Sequence, residues 1–120
     1  MDSIKIVLPF CPSSNTAYPT IVRGGKSFRI KSAKLKEWIR DAPDLEGIEV
    51  SGKVTISYMI FFPDNRIRDG QNYMKVPLDY LVSQGVLKDD NRKYVCGEQW
   101  YDGGNDKENP RIEITIKEIV

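Results

Sequence analysis

Apolar and polar residues alternate loosely at the start of the chain, with Ile4, Ile6 and Leu8 on one side, which predicts a first strand over Ser3–Leu8 that Pro9 ends. The next stretch, FCPSSNTAYPT, has no regular period, and Pro12, Ser13, Ser14, Asn15 and Pro19 predict a loop. Thr20–Val22 and Ser27–Ile30 then flank Gly24-Gly25, a pair suited to the positive φ of a tight turn, so a short hairpin is expected with Arg23 and Lys26 at its tip. Ser32 is placed to cap a helix in which Leu35, Trp38 and Ile39 share a face, and Pro43 stops it. Trp38 falls on that apolar side and reads as a core anchor rather than a platform for stacked bases.

Lys53–Phe62, KVTISYMIFF, is the strongest strand signal. Val54, Ile56, Tyr58, Ile60 and Phe62 make one alternate set, and the other set turns apolar near the end, which predicts a central strand covered on both faces at its close. A second helix is expected over about Gln71–Gln84, with Gly85 as its C-terminal cap. Pro77 inside it requires a kink or a late helix start. Lys93–Gln99 and Arg111–Glu118 are the last strands, separated by a polar loop, WYDGGNDKENP. This order predicts one two-layer α/β (α+β) domain over residues 1–120, with a mixed four-stranded sheet, two helices and a small basic hairpin flap.

Composition narrows the chemistry. The chain is 40% hydrophobic and 29% charged, the balance of an ordinary globular protein, with no apolar run long enough for a bilayer and no secretory signal pattern at its start. A cytoplasmic protein without a membrane partner is expected. There is no histidine, which removes Ser-His and Cys-His nucleophile pairs and the usual Cys/His zinc sites; Cys11 and Cys96 are expected to be buried free thiols. Gly-rich phosphate loops are absent, so no nucleotide cofactor is expected.

A formal net charge of +1 argues against a strong nucleic-acid binder, yet its distribution is uneven. Seven cations, Arg23, Lys26, Arg29, Lys31, Lys34, Lys36 and Arg40, face one Glu37 between Ile21 and Arg40, whereas the region from Glu98 to Glu108 is acidic. A DNA-facing basic surface and an ordinary solvated face both fit, and the flap tip at Arg23 and Lys26 reads either way. Ser13 and Asn15 can likewise donate to phosphate oxygens or satisfy their own turn, and the second is favoured.

Side chains of catalytic type converge on Pro63–Asp90, PDNRIRDGQNYMKVPLDYLVSQGVLKDD. A helix of about 12 residues carries the chain roughly 18 Å from Asp69. An extended Gly85–Asp90 travels roughly 20 Å and can return Asp89 and Asp90 beside it. The three carboxylates meet within one subunit or across a dimer. Grouped carboxylates without histidine suit Mg²⁺ and metal-assisted phosphodiester hydrolysis, with Lys75 or Arg68 opposing charge on the phosphate. Solvated loop charges are the plain alternative. Asp79, one turn beyond Lys75, reads as its salt-bridge partner.

Several separated blocks resemble one family, the RusA-like Holliday junction resolvases, small endonucleases of DNA recombination and repair found widely in bacteriophages and prophages. Leu8-Pro9, Pro12-Ser13, Asn15 and Tyr18 look like its LPxxPSxNxxY pattern. Pro63-Asp64, Arg66, Arg68-Asp69, Asn72, Lys75, Asp79, Leu81, Gly85 and Asp89-Asp90 follow its PDxRxRDxDNxxK, DAL, G and DD pattern in order. The resemblance implies a Mg²⁺-dependent homodimer, with Mn²⁺ as a substitute ion, that binds four-way DNA junctions by shape and resolves them by paired symmetric nicks. It implies that Asp69 and Asp90 are metal-binding catalytic carboxylates supported by Asp89, that Lys75 serves the catalytic centre, and that Arg66 and Arg68 contact the DNA backbone. One catalytic position departs from the pattern: Gln71 stands where the family has a second aspartate, and its amide brings a ligand oxygen without charge. Three outcomes are open: a site working with fewer carboxylates, compensation by Asp79 or Asp64, or a DNA-binding protein without catalysis, which is then a regulator.

Overall fold

In a computed structural model, which describes residues 3–119, the alternating stretches become six strands. β1 (Ser3–Pro9), β4 (Val54–Phe62), β5 (Val95–Asn105) and β6 (Arg111–Glu118) form a sheet in the order β1-β6-β4-β5. β6 pairs antiparallel with β1 and β4, while β4 and β5 run parallel, so the sheet is mixed. The inward residues Ile6, Leu8, Val54, Ile56, Tyr58, Ile60, Ile112, Ile114 and Ile116 are all buried and form one cluster with Leu35, Trp38, Val76 and Leu81 of the helices. Each such side chain contributes about 1.5–3 kcal/mol when fully buried. The fold is α+β, as its order of elements predicts.

Only one face of β4 is covered, contrary to expectation. Met59 on the other face is 37% exposed, and half-buried Phe61 is roofed by the Arg111 guanidinium 3.9 Å from its ring centre rather than by a second layer. The apolar run at the end of β4 reflects this cation-π cover, which periodicity does not reveal.

Three helices lie in the structure where two are predicted. Within the expected loop after β1, Ser14–Ala17 forms a single turn, α1, with the backbone N–H of Thr16 donating to Ser13 Oγ, while Ala17 is buried. α2 (Ala33–Asp41) has Ser32 as its N-cap, as read, and Trp38 is its anchor: the ring is 7% exposed, packs edge-on against Tyr80 at 5.3 Å, and donates from Nε1 to the Pro9 carbonyl at 3.0 Å. The second predicted helix divides. Gly70–Tyr73 is a 3-10 turn and α3 runs only from Lys75 to Ser83. The late start puts Pro77 in the first turn, where a missing N–H costs nothing. Gly85 follows α3 with φ 81°, as expected of its cap position.

The hairpin is formed as expected by β2 (Thr20–Arg23) and β3 (Lys26–Arg29), with Gly24 and Gly25 at φ 60° and 75°. Both its faces are open to solvent, and the Arg29 guanidinium holds its base by donating to the Tyr18 carbonyl at 3.1 and 3.3 Å.

The largest correction concerns β5. The expected strand Lys93–Gln99 starts later and continues through WYDGGN, so most of the expected polar loop is sheet. The outer edge of β5 is unpaired among the described residues, and its solvated side chains hide the strand from any hydrophobic period. Cys96 is exposed there, not buried, whereas Cys11 is buried with its thiol 3.8 Å from the Tyr73 carbonyl, and burial pushes that thiol far above its ordinary pKa. Among the described residues no helix is long and apolar enough to cross a membrane.

Candidate active site

Asp69 sits where β4's exit loop meets the 3-10 turn. Its Oδ1 accepts from the Gln71 N–H at 3.1 Å, capping that turn, and the following residue holds the pair in place. Gly70 lies flat on the Trp100 indole of β5: a Cβ at this position would stand 2.3 Å from the ring. Only a residue without a side chain allows the turn to seat there, so the positions of Asp69 and Gln71 depend on tertiary packing across β4 and β5.

From that seat Gln71 faces a cleft of about 250 Å³ that Lys75, Asp79, Asp90 and Glu98 also line, over Met74 and Leu78. Lys75 Nζ is 3.5 Å from Asp79 Oδ2 and 5.4 Å from the Tyr18 ring centre. The Tyr18 hydroxyl donates to the same Asp79 oxygen at 2.6 Å, and burial, followed by that carboxylate, pushes the phenol well above its usual pKa. Asp79 is therefore the partner of Lys75, as expected, and holds the ammonium at the cleft. The cleft is also lined by Glu98, whose Oε2 accepts from the buried Tyr58 hydroxyl at 2.7 Å. Neither Glu98 nor Trp100 was singled out from the sequence: reading residues 100–110 as loop concealed the alternation that puts the two on one face.

Asp89 and Asp90 divide their labour. Both oxygens of Asp89 are spent on its own turn, accepting from the Asp90 N–H at 2.8 Å and from Asn91 Nδ2 at 3.2 Å. The Asp90 carboxylate has no hydrogen-bond or ion-pair partner among the described residues and lines the cleft. The segment before it is not extended as supposed: Val86 and Leu87 are buried and the Val86 carbonyl accepts from the Val50 N–H at 2.9 Å, which anchors the loop to the core.

Asp69, Asp89 and Asp90 are not gathered around a point: among the described residues no three Asp, Glu, Cys or His side chains form a ready metal cage. Asp69 is turned into its cap and Asp89 into its turn. The donor set nevertheless fits a hard ion. Three carboxylates and a single ammonium line the cleft, and Mg²⁺ needs only one or two protein carboxylates beside its waters. Asp90 and the Gln71 amide are donors that line the cleft, whereas Asp69 is not among its lining residues.

None of the other expected DNA contacts lines this cleft. Arg66 is exposed and has no side-chain partner among the described residues, whereas Arg68 is 11% exposed and forks onto Asp64 at 2.7 and 3.3 Å. Arg68 thus holds its own loop. Arg23 and Lys26 face each other across the hairpin tip, solvated and unpaired among the described residues. Ser13 is consumed by α1, while Asn15 is exposed. Between α2 and the exit loop lies a cleft of about 530 Å³, bordered by Lys34, Arg66 and Arg68 over Phe10, Trp38 and Tyr73.

A protein-family model described as Endodeoxyribonuclease RusA matches residues 15–117. The matched region contains every element of the cleft. No curated protein matches the chain.

Proposed function

Because the chain belongs to the RusA endodeoxyribonuclease family, we infer that it is a Mg²⁺-dependent nuclease that binds four-way DNA junctions and resolves them by paired, symmetric nicks. The observation that carries this reading is the meeting of Gln71, Lys75 and Asp90 in one cleft with a free carboxylate. Asp90 and the Gln71 amide oxygen would hold the ion, with Asp69 joining them from the adjoining 3-10 turn, and Mn²⁺ would replace it. When bound, Mg²⁺ neutralises phosphate charge and supplies an activated water. Lys75, steadied by Asp79 and Tyr18, presents its ammonium to the scissile phosphate and opposes the charge that builds there. Asp89 keeps Asp90 aimed at the cleft by holding the turn. Arg66, with Arg23 and Lys26 on the flap and Asn15 at α1, grips the backbone by charge and hydrogen bonds.

Two strands must be cut at symmetry-related positions, and a twofold homodimer supplies two related clefts. The open edge of β5 is one surface available for self-pairing.

The deciding experiment mixes the purified chain with Mg²⁺ and a synthetic four-way junction. Paired nicks, lost in Asp69→Asn and Asp90→Asn, are expected. A gel shift without cleavage establishes instead a DNA-binding protein of this fold in which Gln71 has ended catalysis.

A further inference from the structure

The loop between β4 and the 3-10 turn is clamped along its whole length. Asp64 Oδ1 accepts from the Arg66 N–H at 2.9 Å and from Arg68 Nη1 at 2.7 Å, and Asn105 Nδ2 of β5 donates to Asn65 Oδ1. The Arg68 guanidinium also lies over the Phe10 ring, 5.5 Å from its centre. On this braced loop Ile67 is 98% exposed, whereas Val22, the next most exposed large apolar residue, is 68% exposed on the solvated hairpin. A clamped backbone thus projects a stiff β-branched side chain into water with nothing of the described chain covering it.

Its surroundings indicate what covers it. Arg66 beside it is exposed and unpaired among the described residues, and Asp69 is two positions further on. Clefts of about 530 and 230 Å³ flank the loop, and Arg66 and Arg68 line both, so the loop is a ridge between two hollows on which Arg66 is the cation without a partner among the described residues. Contiguous exposed apolar patches of several hundred Å² are what mark an apolar docking face for a protein. One isoleucine between two arginines offers none. Apolar wedges of isoleucine size beside arginines are instead how proteins unstack a base step, and a branch point is where the stack is already interrupted.

Resting on the family reading above, we propose that Ile67 is a wedge that enters the base stack at the junction's branch point, while Arg66 holds the neighbouring phosphate. The braced loop keeps the wedge in register with Asp69, so insertion sets which phosphate reaches the cleft. Duplex DNA, whose stack is closed, does not admit it at comparable cost.

The test uses the full chain without divalent metal and a four-way junction carrying the fluorescent adenine analogue 2-aminopurine at the branch point or inside an arm. Binding brightens the branch-point probe and leaves the arm probe unchanged. Ile67→Ala loses the brightening while its affinity by gel shift stays within about threefold, because phosphate contacts dominate binding. Ile67→Leu keeps it. Equal brightening in wild type and Ile67→Ala, or a wild type that binds without brightening, overturns the wedge alone. A mass that falls in Ile67→Ala by light scattering overturns it in favour of a self-contact. A wild type that fails to shift the junction overturns the nuclease reading and the wedge with it.

Discussion

Asp69 and Asp90 are carboxylates of one kind set on arms built in opposite ways. The Asp69 arm is a tertiary construction: its turn is seated by Gly70 on an indole that comes from a strand 30 positions later in the chain. The Asp90 arm is local, a turn held by its immediate neighbour Asp89 and joined to the core through Val86 and Leu87. The first arm has its carboxylate occupied as a cap, and the second leaves it free. One arm is thus rigid with a carboxylate oxygen engaged, and the other offers a carboxylate without a partner among the described residues.

The largest effect is expected from the free carboxylate. Asp90→Asn removes the charge that nothing else among the described residues engages, and nicking should fall by about 10²-fold or more while junction affinity in a gel shift is retained. Nicking that survives in Asp90→Asn but not in Asp69→Asn would invert the roles of the two arms. Next is the seat itself. Gly70→Ala forces a methyl into the Trp100 ring, and denaturant titration should show a loss of about 1–3 kcal/mol. Asn at Asp89 should leave stability nearly unchanged, since a local turn in water contributes little to the whole. Equal losses at both positions would remove the contrast between tertiary and local construction.

Legibility in the sequence follows the same division. Local rules found what is local: the Ser32 cap, the Gly24-Gly25 turn, the late start demanded by Pro77, and the Lys75–Asp79 spacing all appear in the structure where the chain's chemistry puts them. What local rules miss is what another segment supplies. β5 is an edge strand whose solvated residues mask its continuation past Gln99, and with that went the Trp100 seat of Gly70. Phe61 reads as the mark of a second covering layer, yet a cation covers it. The motif resemblance named Asp69, Lys75 and Asp90 without revealing that Arg68 and Ser13 are already employed inside the fold.

A smaller effect sharpens the comparison at Gln71, which the rigid arm presents to the cleft. Gln71→Asp gives the tertiary arm the charge it lacks, and at a fixed Mg²⁺ concentration nicking is expected to rise about tenfold. Thermal stability without metal should drop slightly, because the new carboxylate faces Asp90 and Glu98 across the cleft. Unchanged nicking would mean that the amide oxygen already does what the ion requires of this position.

The smallest effect concerns the lead-in to the rigid arm, the fork between Asp64 and Arg68. The Arg68 guanidinium first, and the Arg66 N–H second, lower the Asp64 pKa from 3.8 to about 2. A carboxylate whose pKa is lower folded than unfolded stabilises the fold fully above its unfolded value and loses that contribution as pH falls through the folded one. The fork therefore holds unchanged through neutral pH and weakens only as pH drops from 3.8 toward about 2. Asp64→Asn removes it at every pH, and because the pair is at the surface the melting temperature should move little. Its clearer consequence is on DNA. Arg68 loses its internal anion and becomes available to a phosphate, so the slope of log affinity against log salt should steepen by about one unit while Arg66→Ala makes it shallower by the same amount. A slope unaltered in Asp64→Asn would show Arg68 to be held by the Phe10 ring alone, and the rigidity of this arm would then rest on packing from its first residue to its last.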